Sequence, residues 1–87
     1  MNNYEKEKAK EMLDLINQYI NAKDKKDINK KLNKLSDELY YKNQSKLSQK
    51  MIDIALAVHS FTQAGMQANY FQPLDEFVAD LKEVIGG

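Results

Sequence analysis

The chain has 87 residues, 43% of them hydrophobic and 30% charged, with no cysteine and a formal net charge of zero. That describes one folded domain rather than a disordered tract, and it excludes disulfide staples, thiol chemistry and cysteine metal sites, so the fold must hold by packing alone. All 13 basic residues are lysine, and without arginine the bidentate contacts that read guanine and phosphate are missing, which argues against a nucleic-acid partner.

The longest wholly apolar run is residues 54–58 (IALAV), far short of the roughly 20 residues a membrane span needs. Residues 1–10 are charged and hold no apolar signal core. No export signal is therefore expected, and the protein is expected to be cytoplasmic.

Helix one is predicted over residues 4–22. Ala9, Leu13, Ile16 and Ile20 step by four, three and four, with Met12 and Tyr19 widening the stripe. Residues 21–27 (NAKDKKD) read as a turn. In it, Asp24 or Asp27 can cap the next helix by accepting an orphan backbone N–H. Helix two is predicted over 27–42 on the same spacing of Ile28, Leu32, Leu35 and Leu39. Residues 43–45 break that pattern and offer Asn43 or Ser45 as the following cap.

Helix three is predicted over 45–66, its end lying between 64 and 68. Leu47, Met51, Ile54, Val58 and Phe61 form its seam. Gly65 falls next in register, either inside the seam or as the helix stop. A short aromatic break (NYFQ, 69–72) leads to helix four, predicted over 73–85. Pro73 suits the first helical position, where its missing N–H is no loss. Asp75 and Glu76 place negative charge in the first turn, favourable against the helix dipole. Leu74, Phe77, Leu81 and Val84 form the seam, with Val78 and Ile85 beside it. Four amphipathic helices joined by short links predict an all-α fold, an antiparallel four-helix bundle spanning residues 1–87.

Chemistry-bearing groups are few. His59 is the single histidine, and Asp53, six residues earlier, lies about 120° away around an ideal helix. No Glu-x-x-His pair exists, so a bundle di-iron site lacks its ligands. A structural role is the expectation for His59. Two of the three glycines are terminal and Gly65 stands alone, so no phosphate-cradling loop is expected. These absences lead to an expectation of no enzymatic activity, no cofactor, no metal and no small-molecule substrate.

Other groups allow two readings each. Ile52, Leu56 and His59 form a second line on helix three, with Leu56 projecting almost opposite Leu47 and Val58. Leu56 either packs beneath helix one or a terminal segment, or belongs to an exposed docking patch. Lys23, Lys25, Lys26, Lys30, Lys31 and Lys34 cluster around Asp24 and Asp27. They form either a solvated face or a surface drawn to an anionic membrane or an acidic partner. Tyr70 and Phe71 either staple helix four, for instance on Phe77, or face a partner.

Three stretches together carry a resemblance. They are the lysine-rich 30–39 (KKLNKLSDEL), the long third helix over 45–61, and, after a link containing Gly65, the proline-led 73–81 (PLDEFVADL). In these the chain resembles, over nearly its whole length, the immunity proteins of lactic acid bacteria against pediocin-like bacteriocins, the enterocin A immunity type. The resemblance implies a monomeric antiparallel four-helix bundle without enzymatic activity. It would act in the cytoplasm, at the inner membrane face. Its implied partner is the membrane mannose phosphotransferase permease with bound bacteriocin, which it would engage to block killing. In that family the C-terminal half sets which bacteriocins are resisted. By position, this makes Tyr70, Phe71, Gln72, Asp75 and Glu76 recognition candidates beside Leu56 and His59. Many relatives carry a tail beyond helix four, whereas this sequence stops at Gly87; a specificity role of such a tail would be missing here or moved to the 66–72 link. The competing expectation is a small helical adaptor for a soluble protein.

Overall fold

A computed structural model of the chain describes residues 3–64 and 74–87. Most of them lie in four α-helices: α1 (Asn3–Asn21), α2 (Lys26–Asp37), α3 (Gln49–Ala64) and α4 (Leu74–Gly86). They form an antiparallel four-helix bundle, as the spacing predicts. Helix α1 packs most extensively on α4 and α2 on α3, while the α1–α2 and α3–α4 seams close the ring. Pairs between helices show the directions. Asn33 and Asp37, in order along α2, meet Thr62 and His59, in reverse order along α3. Lys50 at the start of α3 meets Glu83 near the end of α4.

The core draws on every helix: Met12 and Ile16 from α1, Leu32 and Leu35 from α2, Met51, Ile54 and Val58 from α3, and Phe77, Leu81 and Val84 from α4. One end is closed by three rings set edge to face, Tyr19–Phe61 at 5.5 Å and Phe61–Phe77 at 6.1 Å between centroids. This is the arrangement aromatic quadrupoles favour. The predicted seams of α2, α3 and α4 are the buried or half-buried lines observed.

The stripe on α1 needs correction. Buried positions run Glu5, Ala9, Met12, Ile16 and Tyr19, leaving Leu13 half-buried and Ile20 46% exposed. Two lines pass through Ala9 and Ile16 at helical spacing, and the one ending at Tyr19 wins. Tyr19 reaches the Phe61 ring, and Ile20, one residue on, is turned about 100° away.

Neither Asp24 nor Asp27 holds the cap position of α2, which falls on Lys25 with no side-chain cap bond, but Asp24, one residue before it, accepts the Lys26 N–H at 3.0 Å. Lys25 closes the preceding helix. Its ammonium donates to the Tyr19 and Ala22 carbonyls, at 2.5 and 3.1 Å, and lies 4.8 Å from the centre of the Tyr19 ring. A cation at the carbonyl end of α1 satisfies orphan acceptors and complements the dipole.

The α2–α3 junction also departs from the expected helix boundaries. Beyond Asp37 the chain stays helical but widens into a π turn, Glu38–Lys42, followed by a 3-10 turn, Gln44–Lys46. Leu47 is then extended, and Ser48, rather than Asn43 or Ser45, caps α3 by accepting the Met51 N–H at 3.3 Å. The Ser48 N–H itself is taken by the buried carboxylate of Glu5 in α1.

Candidate interaction surface

Two features of the α2–α3 half build the candidate surface. The first is the π turn. Its defining bond is Asn43 N–H to the Glu38 carbonyl, 3.1 Å and five residues apart. The extra residue per turn keeps Leu39 in the core while swinging Tyr41 out to 63% exposure. Such turns are rare and concentrate at functional sites. The second is the outer face of α3. Leu56 there is 41% exposed, with Ile52 half-buried one turn before it and His59 half-buried one turn after. Leu56 is therefore exposed rather than buried beneath helix one or a terminal segment.

Tyr41 and His59 join the two features. Their rings meet edge to face at 5.4 Å, and Tyr40 stacks edge-on against Tyr41 at 4.9 Å. His59 Nε2 lies 3.6 Å from Asp37 Oδ1. That separation is a close polar contact, longer than a hydrogen bond. Asp37 thus supplies the carboxylate neighbour that the spacing of Asp53 along α3 does not. Asp53 is held instead by Gln49, whose amide donates to it at 2.9 Å.

Beneath this surface α2 and α3 are clasped by amides. Asn33 donates to the Thr62 hydroxyl at 2.9 Å and Asn29 to the Thr62 carbonyl at 3.2 Å. Thr62 is buried and donates in turn to the His59 carbonyl at 2.9 Å. This clasp fixes the height of His59 against Asp37. Neither Tyr41 nor the clasp is visible in the apolar spacing. The π turn breaks the 100° stepping that would place Tyr41, and the asparagines lie beside the seam rather than in it.

Asp75 and Glu76 are exposed in the first turn of α4. They are on a different helix from the Leu56 line. The expectations for Gly65, Tyr70, Phe71, Gln72 and Pro73 fall outside the described residues.

Two clefts are open to solvent. One, of about 320 Å³ between α1 and α2, is lined by Glu11, Asp14, Lys31, Lys34 and Glu38 over Leu15 and Leu35. The other, of about 200 Å³ between α3 and α4, is lined by Lys50, Asp53, Ile54 and Asp80. Leu56, His59 and Tyr41 line neither. Among the described residues no group of three carboxylate or imidazole side chains could hold a metal ion. None of the described helices is long and apolar enough to cross a membrane. What the α3 face offers chemically is contact area: an aliphatic side chain and an aromatic ring beside an imidazole and a carboxylate. No family model, curated protein or solved structure matches this chain.

Proposed function

We propose that this is a protective binding protein of the enterocin A immunity type. In the cytoplasm, at the inner membrane face, it engages the mannose phosphotransferase permease that carries a pediocin-like bacteriocin. It blocks killing by binding, as a monomer and without catalysis or cofactor. The observation that carries this reading is the exposed Leu56 line, extended by Tyr41, on a four-helix bundle whose cores are already filled. A leucine outside the core, one turn before a histidine whose ring meets the outward-turned Tyr41, serves a partner better than it serves the fold. The antiparallel bundle supports the reading because the sequence resemblance implies that architecture.

The test is recovery of the tagged protein from a sensitive strain. The permease should be captured with it in the presence of a matching bacteriocin and lost in its absence. Exchanging residues 60–87 for those of a relative should shift which peptide is resisted. The same exposed face also suits a small adaptor for a soluble protein, and that reading takes over if the permease is never captured and no peptide of the class is resisted.

A further inference from the structure

The chain carries no net charge, yet its charge is strongly polarised. Residues 23–34 hold six lysines and two aspartates, a net of +4, so the rest of the chain carries −4. The fold uses one of those lysines, Lys25, to close α1. It leaves Lys23, Lys26, Lys30, Lys31 and Lys34 exposed. Among the described residues none of these five makes an ion pair. Lys31 and Lys34 share the α1–α2 cleft with Glu11, Asp14 and Glu38, whereas Lys26 and Lys30 do not line it.

Stability does not explain this stripe. Lys26, Lys30 and Lys34 follow one another at four-residue spacing, and like charges so placed repel along a helix. Lys26 also opens α2, the end at which the helix dipole disfavours a cation. The face they occupy is away from the core, since Ile28, Leu32, Leu35 and Ser36 form the inward side of the same helix. A positive face on one side of an otherwise acidic molecule is an orienting device at a charged surface.

We infer that the lysine face of α2 (Lys23, Lys26 and Lys30, flanked by Lys34) docks the protein on an anionic phospholipid leaflet. A bilayer is favoured over an acidic protein because the lysines are spread along a convex helix face with no apolar anchor among them. Such a face suits a diffuse sheet of headgroup charge better than a fitted interface, whose centre is aromatic and apolar. Contact in this mode is electrostatic and reversible. The inference deepens the protective reading, in which the protein works at the inner membrane face, but its test needs neither permease nor bacteriocin.

The experiment is co-sedimentation of the full chain with vesicles of phosphatidylglycerol and phosphatidylcholine, and with vesicles of phosphatidylcholine alone. Binding is expected on the anionic vesicles only, and it should fall steeply as salt is raised. Each lysine near such a surface accounts for about a fivefold change in partitioning. The Lys26→Gln/Lys30→Gln double variant should therefore bind about twenty- to thirtyfold more weakly. A Lys10→Gln/Lys82→Gln variant loses the same charge from α1 and α4 and should bind almost as the parent does. Thermal melts of both variants confirm that the bundle is intact. No binding to anionic vesicles at low salt, equal binding to neutral ones, or equal losses in the two variants would each overturn the inference. Capture by immobilised polyglutamate with the anionic vesicles left unbound would also overturn it and give the face to an acidic protein.

Discussion

Glu5, in the first turn of α1, accepts the backbone N–H of Ser48, where α3 begins, at 2.5 Å. In an ordinary capping box the residue three positions after the cap returns that bond. Here that residue is Met51, buried and apolar, and another helix supplies the carboxylate. The starts of α1 and α3 are thereby fixed to each other at one end of the bundle.

Glu5→Ala should lower stability by about 2–4 kcal/mol, since it strips the acceptor from a part-buried N–H and opens a cavity. Glu5→Gln keeps an acceptor oxygen in place and should lose less than half as much. Urea denaturation of both variants measures the difference. Equal losses would mean that the side chain serves there only as volume.

Ser48→Ala should lose about 1 kcal/mol, the usual range for an N-cap. Ser45→Ala lies in the exposed 3-10 turn and should change stability by less than about half that. The reverse order would place the start of α3 at the 3-10 turn.

Leu32→Ala and Ile54→Ala should each cost about 2–5 kcal/mol, because both side chains are buried on the α2 and α3 seams. Chemical denaturation checks this, and losses under about half a kcal/mol at both positions would contradict the core described here.

Stability should also fall as the pH rises above the ordinary tyrosine value of 10.0. Burial holds the Tyr19 hydroxyl above that value, and burial, offset by Lys8, does the same at Tyr4. In that range the unfolded chain releases these protons first, so the folded state loses ground with increasing pH, while well below 10 both states keep the protons and neither tyrosine contributes a slope. Tyr19→Phe should shallow the alkaline decline. A decline of unchanged steepness would assign it to other groups.

Much of the fold is legible in the residues, and the failures have physical causes. Apolar spacing alone identifies the seams of α2, α3 and α4, because few other residues compete for those faces. On α1 two equivalent lines cross at Ala9 and Ile16, and only the ring of Phe61, remote in sequence, selects the one through Tyr19. Glu5 is invisible to any hydrophobicity pattern, being a buried polar side chain that answers a backbone N–H 43 residues away. Of the candidate surface, Leu56 stands out in the sequence because a helix in such a bundle does not need an apolar residue opposite its seam. Tyr41 is hidden because a π turn shifts its direction, and Asp37 because its contact with His59 forms only when α2 and α3 pack.

The most direct measurement for the protective account pairs tolerance with folding. A bacteriocin-sensitive strain would express the parent chain, Leu56→Ser and Tyr41→Ala, and the unfolding midpoints of the purified proteins would be recorded alongside. The parent should raise tolerance to at least one pediocin-like bacteriocin. Both variants alter exposed side chains, so they should unfold within about 0.5 kcal/mol of the parent and yet protect poorly. No protection by the well-expressed parent against any peptide of the class, or full protection by both folded variants, would contradict the account.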